Sequence, residues 1–163
     1  MTVALPPFQR LVDEHWRDVA RLAFALAGPQ EGEDVAQQTW TKALAGYPSL
    51  TDARNLRGWL LTITAHTATD HHRSRAHRPR PTDELPEGAV PPAETTDDRL
   101  WEQVRALPQR QRTAVVLHYV ADLAHTEVAA ALGTTAAASR RLVSDALTSL
   151  RSQLGTDLHE VGS

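Results

Sequence analysis

The 163-residue sequence contains no cysteine and only one methionine. It therefore cannot form a disulfide, a thiolate nucleophile, an iron–sulfur cluster or a cysteine-ligated zinc site. It has no run of about 18 apolar residues that could cross a membrane, and no basic segment leads into an apolar one at the N-terminus. These absences favour a soluble protein of a reducing compartment, and we expect it to be cytoplasmic.

The fingerprints of common enzyme classes are also missing: the sequence has no GxGxxG, GxxxxGK[ST], HExxH or GxSxG. One histidine-rich stretch, with His66, Asp70, His71, His72 and His77, resembles a metal site. On a helix His66 and Asp70 lie one turn apart, but His71 and His72 point about 100° away from each other. The ligands that remain are too few, so we predict no metal, no cofactor and no catalytic residue.

Charge is unevenly distributed along the chain. The net charge is −3, which argues against a generally basic nucleic-acid coat protein. Residues 1–80 carry +2, residues 81–98 carry −6 and residues 99–163 carry +1. Residues 77–98 also contain five of the ten prolines, which cannot continue a helix. The sequence thus predicts a first domain over 1–76, a flexible linker over 77–98 and a second domain over 99–163.

Apolar residues recur at helical spacing on both sides of this linker, and no segment alternates as a strand would. Stop signals at Gly28-Pro29, Gly46-Tyr47-Pro48, Pro108 and Gly133 delimit the helices. Three helices are predicted before the linker, the third from Leu56 to Arg75. After the linker, short helices are predicted around 100–107, 112–120 and 126–133, followed by a long final one. The predicted fold class is all-α, with two small helical domains.

Near the C-terminus, two helices joined by a Gly-containing turn form a helix-turn-helix signature, and the second carries Arg140 and Arg141. Earlier, HHRSRAHRPR (71–80) holds four arginines. These arginines suit either the negative end of a helix dipole or contact with nucleic-acid phosphates, and the sequence leaves both open. Trp59 stands close to Arg54 and Arg57, which suits stacking on unpaired bases, although packing in the core is an alternative.

Taken in order, EDVAQQTWTKAL, ARNLRGWLLTITAHTATDHHRSR, the proline-rich segment, ALPQRQRTAVVLHYVADLAHTEVAAALG and a final Arg-bearing helix resemble the extracytoplasmic-function (ECF) sigma factors. The resemblance covers about residues 8–152. It implies a region 2 bundle and a region 4 helix-turn-helix in a protein that directs bacterial RNA polymerase to promoters and initiates transcription. The implied partners are the polymerase core, through its largest-subunit clamp helices and flap, and promoter DNA, without a membrane. An anti-sigma factor remains an open partner.

The resemblance also assigns roles to residues. Contact with the polymerase core falls on Asp34, Gln37 and Gln38. Reading of the minus-ten element by region 2 falls on Arg54, Asn55, Arg57, Trp59, His66, Thr67, His71, Arg73 and Arg75. Reading of the minus-thirty-five element by region 4 falls on Thr135, Ala138, Ser139, Arg140 and Arg141.

The sequence departs from the family pattern in two places. His66-Thr67 stands where Arg-Asn is common, which replaces a fixed cation with a titratable ring. Asp145 occupies a position near the recognition helix that is usually basic, where it could pair with Arg141 one turn away. An alternative function is therefore a sigma-like protein-interaction module, or a helix-turn-helix regulator with weakened minus-thirty-five recognition.

Overall fold

A computed structural model describes residues 4–76 and 96–160, and these ranges contain helices but no strand. The helices are α1 (Phe8–Ala27), α2 (Gly32–Gly46), α3 (Leu56–Ala76), α4 (Thr96–Ala106), α5 (Gln109–Tyr119), α6 (His125–Leu132) and α7 (Ala136–Glu160), with a 3₁₀ turn at Tyr47–Ser49. The all-α prediction is confirmed. Within the same ranges, no helix has the length and apolar character needed to cross a membrane.

The helix ends follow the signals in the sequence. Gly28 and Gly133 end α1 and α6 with φ of +85° and +66°, a left-handed conformation that is costly for residues with a Cβ atom. Pro108 lies immediately before α5, where a missing N–H costs nothing. Glu33 and Asp34 occupy the first turn of α2, where acidic groups complement the helix dipole.

Most of the segment predicted as a linker, residues 77–98, lies outside the described residues. Its last three positions belong to α4, which begins at Thr96. The boundaries of the two domains remain predictions. Below, α1–α3 are called the N-terminal unit and α4–α7 the C-terminal unit.

One apolar cluster belongs to the N-terminal unit alone. Its buried members are Leu11, Val19, Ala43, Tyr47 and Leu60. Aromatic rings close it, because Phe8 meets Trp40 and Tyr47 edge-on and Trp59 lies against the same cluster. The Tyr47 hydroxyl donates a hydrogen bond to the Pro6 carbonyl, which fixes the chain ahead of α1.

A second, larger cluster runs through both units. From the N-terminal unit it takes Leu22, Leu26, Leu61, Ala65 and neighbouring small residues, and from the C-terminal unit Val104, Leu107, Val116, Leu117 and Val128 among others. Helix α1 contacts α4 and α5, and α3 contacts α5 and α6. Burial of this shared apolar surface is the main force that holds the two units together.

Candidate polymerase and nucleic-acid surfaces

The polar face of α2 lies in solvent. Val35 and Thr39 are fully buried, and the Thr39 hydroxyl donates to the Val35 carbonyl one turn back. Asp34, Gln37 and Gln38, the predicted polymerase contacts, are all exposed on the other side. No hydrogen bond within the described ranges engages these three side chains. The packing of α2 thus presents a carboxylate and two amides to an outside partner.

The loop before α3 is organised by an ion pair. The Arg54 guanidinium donates to both carboxylate oxygens of Asp52, with Nη2 2.8 Å from Oδ2, and the Arg54 backbone N–H donates to Oδ1 at 2.9 Å. These hydrogen bonds, the side-chain one first, lower the pKa of Asp52 to about 2. Arg54 is exposed, but a neighbouring carboxylate partly offsets its charge.

Asn55 joins the two units. Its Oδ1 accepts from the Gly58 N–H at 3.0 Å, which caps α3, while its Nδ2 donates to Glu127 Oε1 at 2.8 Å. Glu127 Oε2 in turn accepts from the Ala124 N–H at 3.0 Å at the start of α6. A Cβ atom on Gly58 would lie 2.4 Å from the Asn55 amide nitrogen, so a larger residue there would displace the Asn55 side chain from these bonds. One amide and one carboxylate thus cap a helix each and bond to each other.

Arg57 and His66 also bond to the C-terminal unit. Arg57 pairs with Asp18 on α1 at 3.1 Å, and its Nη2 donates to the Ala121 carbonyl at 2.6 Å. His66 Nε2 lies 2.6 Å from the Ala131 carbonyl oxygen, to which it donates. Together with Asn55, these residues place the predicted minus-ten face of α3 against α6 and the turn that precedes it. The structure thus brings the predicted minus-ten face into contact with the first helix of the helix-turn-helix.

Two of the predicted DNA contacts are not on the surface. Thr67 is fully buried, where its hydroxyl donates to the Ile63 carbonyl at 2.7 Å and accepts from Lys42 Nζ at 3.2 Å. Ser139 is fully buried as well, and a hydrogen bond of 3.0 Å joins its hydroxyl to His125 Nδ1. In this arrangement neither side chain is accessible to DNA, because each hydroxyl is satisfied inside the protein.

Trp59 is half-buried beside Tyr47, with ring centroids 6.3 Å apart, so it packs in the core on one side and reaches solvent on the other. At the end of α3, His71 Nε2 bonds to Glu31 Oε2, and Arg73 is exposed. Arg75 belongs to α3, but its side chain is outside the described part of the chain, as is His77.

His66 and Asp70, which lie one turn apart on α3, contact different partners. His66 points to α6, whereas the Asp70 carboxylate is 3.8 Å from Lys42 Nζ. In residues 4–76 and 96–160, no group of three or more His, Asp or Glu side chains is placed to hold a metal ion.

The start of α7 has the form of a capped helix. Thr135 Oγ1 accepts from the Ala138 N–H at 3.1 Å, and Ala138 is half-buried. Arg140 and Arg141 are exposed on the following turn. No ion pair joins Arg141 to Asp145 in the described residues, so both arginines keep their charge available to a ligand.

Sequence reasoning missed Asp18 and Glu127, the residues that hold Arg57 and Asn55. Glu127 could have been recognised as a helix cap from its place in the first turn of α6. Its bond to Asn55 spans 72 positions, however, and no local pattern signals such a contact.

Comparisons with known proteins match each of the two units to a known family. Residues 11–78 match sigma-70 region 2 and residues 97–150 match sigma-70 region 4. The chain is 30% identical over 129 residues to the RNA polymerase sigma-E factor of Streptomyces coelicolor, covering 77% of this chain and 73% of that protein. It is 32% identical over 145 residues to the ECF RNA polymerase sigma factor SigD of Mycobacterium bovis, covering 83% and 68%.

Solved structures share the fold. The sigma factor RpoE of Bartonella quintana, in complex with the anti-sigma factor NepR, superposes with a TM-score of 0.75 at 22% identity, over 94% of this chain and 99% of that one. CnrH, in complex with the cytosolic domain of CnrY, gives a TM-score of 0.69 at 22% identity, over 92% and 88%. With two sigma-70 regions in order and relatives at this level of identity, the chain belongs to the ECF sigma factors of the sigma-70 family, which direct RNA polymerase to promoters.

Proposed function

We propose that this sigma factor docks on the polymerase core through the exposed face of α2, and that it reads the minus-ten element only after its two units separate. The observation that carries the proposal is the contact between Asn55, Arg57 and His66 of α3 and the C-terminal unit. Promoter DNA and the C-terminal unit would compete for the same three side chains.

Docking on the core is assigned to Asp34, Gln37 and Gln38. A carboxylate beside two amides suits a basic, hydrogen-bonding partner surface. Because this face lies away from the contacts between the units, it is accessible in the packed arrangement. Core binding is therefore expected to precede or accompany the opening of the units.

Reading of the minus-ten element is assigned to Arg54, Asn55, Arg57, Trp59 and His66. Contact with the DNA backbone is assigned to Arg73. Trp59 offers a partly exposed ring on which an unpaired base can stack. The guanidinium of Arg57 must exchange the Ala121 carbonyl for a DNA acceptor. Exchange of one acceptor for another keeps the number of hydrogen bonds, so the net cost of opening is mainly the exposure of apolar surface.

Reading of the minus-thirty-five element is assigned to Arg140 and Arg141. Arginine can bond both acceptors of guanine in the major groove. Both side chains are already exposed in the packed arrangement, so this surface does not depend on separation of the units.

An anti-sigma factor is proposed as a further partner. One of the two solved structures that share this fold is of a sigma factor in complex with an anti-sigma factor. A protein that bound across both units of this chain would stabilise their packed arrangement and would keep Asn55, Arg57 and His66 from DNA.

The docking proposal is tested by core binding. Asp34→Ala and Gln37→Ala are compared with Asp13→Ala, which removes an exposed carboxylate from α1 instead. We expect each α2 variant to weaken core binding by about tenfold, the loss typical of a charge-assisted hydrogen bond, while Asp13→Ala leaves it unchanged. Equal affinity for all four proteins in a fluorescence titration with core polymerase would exclude this docking surface. Absence of promoter-dependent transcription with a matching core would overturn the proposal as a whole.

A further inference from the structure

A cavity of about 180 Å³ lies between the two units. One wall comes from the end of α1, the turn before α2 and the end of α3, and it carries Glu31, His71 and His72. The other wall comes from α4 and α5 and carries Arg105 and Arg112. Of these residues, only His71 is also among the predicted DNA contacts, and none is among the proposed polymerase contacts.

Arg112 is a buried cation without a counter-charge. It is only 9% exposed, its Nε has no hydrogen-bond partner, and no ion pair within the described residues involves it. Burial, with the nearby charge of Arg105, lowers the pKa of Arg112 from its usual value. An unpaired charge inside a protein is costly, so an acceptor at this position would be strongly favoured.

Arg105 brings a second guanidinium to the same space. Its side chain runs across the turn at Gly28, where an added Cβ atom would lie 3.5 Å from the Arg105 Cδ and 3.6 Å from its Nε. The Arg105 side chain therefore packs against this turn. As with Arg112, none of the contacts in the described residues gives this guanidinium a carboxylate partner.

The remaining groups in the cavity wall do not neutralise these arginines. Glu31 is the one carboxylate among the lining residues, and it bonds to His71. Burial and then the charge of Arg112 lower the pKa of His72, which favours its neutral form. Thr69 and Thr113 add hydroxyl groups that can donate hydrogen bonds. The cavity therefore combines excess positive charge with several donors.

We propose that this cavity binds a small phosphorylated molecule, with its phosphate group between Arg105 and Arg112. A phosphate monoester carries about −1.5 to −2 charges at neutral pH, which matches two guanidinium groups, whereas a single carboxylate would offset only one. The planar guanidinium fork also fits a phosphate with two parallel hydrogen bonds.

Binding has a consequence for the arrangement of the units. Because the two walls belong to different units, the complete site exists only while the units are packed. A ligand that binds one arrangement shifts the equilibrium toward it. Phosphate is thus expected to hold the units together. The site itself does not rest on the proposed promoter contacts.

The test uses the full chain without DNA or polymerase, so that its outcome is independent of promoter function. Inorganic phosphate and phenyl phosphate are titrated by isothermal calorimetry at constant ionic strength, with acetate as the comparison anion. Arg105→Gln removes one guanidinium from the cavity rim. Arg110→Gln is the matched control, because it makes the same change on α5 at an exposed position outside the cavity wall.

We expect both phosphates to bind the natural chain and Arg110→Gln with equal affinity, and acetate to bind neither. Arg105→Gln should weaken phosphate binding by about tenfold or more, the loss typical of one charge-assisted hydrogen bond. The proposal is overturned if phosphate binds no better than acetate, or if Arg105→Gln and Arg110→Gln bind it equally.

One further variant distinguishes a free ligand from the chain's own carboxylates. It replaces the acidic residues Asp83, Glu84, Glu87 and Glu94 with the corresponding amides. Equal phosphate affinity in this variant and the natural chain supports a site for a free phosphorylated ligand. If phosphate binds the variant but not the natural chain, a carboxylate of the chain fills the cavity and the proposal of a free ligand is wrong.

Discussion

The two surfaces proposed to read DNA differ in their accessibility. On α7, Arg140 and Arg141 are exposed and have no partner among the described residues. On α3, Asn55, Arg57 and His66 are bonded to the C-terminal unit. The same packing that leaves one surface open covers part of the other. Under the proposed assignment, the packed arrangement blocks recognition of the minus-ten element and leaves the minus-thirty-five surface open.

The arginines assigned to the minus-ten element, Arg54 and Arg57, are held by different kinds of contact. Arg54 is bonded to Asp52 within its own loop, and that bond does not involve the other unit. Arg57 is bonded to Asp18 within the N-terminal unit and to Ala121 across the junction. Separation of the units would release Arg57 from Ala121 but would leave the Asp18 pair and the Arg54 pair intact. Only the side chains bonded across the junction respond to opening.

The largest expected effect distinguishes the apolar cluster of the N-terminal unit from the cluster shared by both units. Leu60 and Leu61 are adjacent on α3 and both are at most 1% exposed, but Leu60 belongs to the N-terminal cluster and Leu61 to the cluster shared by both units. Truncation of either to alanine should lower the free energy of unfolding by about 2–5 kcal/mol, because each leaves a cavity. Only Leu61→Ala should also loosen the packing of the units. Urea unfolding measures the first effect and small-angle X-ray scattering the second.

Equal expansion of both variants in the scattering experiment would show that the shared cluster does not hold the units together. Equal compactness, with Leu61→Ala no looser than Leu60→Ala, would lead to the same conclusion.

The next largest expected effect is on DNA binding by Arg140 and Arg141, the exposed arginines of α7. Arg140→Ala and Arg141→Ala should each weaken binding of the polymerase holoenzyme to a promoter by about 1–3 kcal/mol, if each reads a base edge. Arg151→Ala is the control, because Arg151 is exposed on the same helix, further from its N-terminus. Competition between promoter DNA and the same DNA with a scrambled minus-thirty-five element measures the loss. A similar loss for Arg151→Ala, or equal losses on both DNAs, would refute base reading at these positions.

A smaller effect lies in the turn that contacts Arg57. Asp122 follows Ala121 and has φ of +58°, the only positive φ of a non-glycine residue in the described ranges. Asp122→Ala should lower the free energy of unfolding by about 1 kcal/mol, because alanine lacks the polar side chain that tolerates this conformation. Asp122→Gly should be less harmful, since glycine adopts it freely. Urea unfolding of both variants measures the difference, and an alanine variant as stable as the glycine variant would contradict it.

The smallest expected effect is a change in the pKa of Asp52 in the loop before α3. The ion pair in this loop does not involve the C-terminal unit. The pKa of Asp52 is expected at about 2 in the natural chain and at a higher value in Arg54→Gln, still below the ordinary 3.8 because the backbone N–H of residue 54 continues to donate to Asp52. Because the folded-state pKa is lowered, the ion pair contributes above pH 3.8 and is lost as the pH falls through about 2. A carbon-detected NMR titration of the Asp52 carboxyl measures both values. An Arg54→Gln variant with an unchanged low pKa would exclude Arg54 as the cause.

The sequence alone predicts the helix ends well where a single residue type determines the backbone conformation. Gly28 and Gly133 mark helix ends because few other residues adopt a left-handed conformation there. The apolar spacing of α1 likewise predicts its buried side. The family resemblance, which the comparisons confirm, adds the identity of the two regions.

The packing of the units could not be predicted in this way. Helix α3 is buried on more than one side, as Leu60 and Leu61 show, and an apolar pattern does not say which neighbour covers which side. The family resemblance places Thr67 and Ser139 among the DNA contacts, whereas the structure buries both. A hydroxyl that bonds to the carbonyl one turn back, as in Thr67, or to a histidine, as in Ser139, needs no solvent. Such partners come from the tertiary structure.

The central claim is that the minus-ten face of α3 becomes available only when the two units separate. Since the chain has no cysteine, Thr51→Cys and Thr126→Cys place one spin label on each unit at exposed positions beside the junction. Double electron–electron resonance measures the distance between the labels in the free chain and in a transcribing complex with polymerase and promoter DNA. The account predicts a short distance in the free chain and a clearly longer one in the complex. A distance that stays short in a complex active in transcription would contradict it.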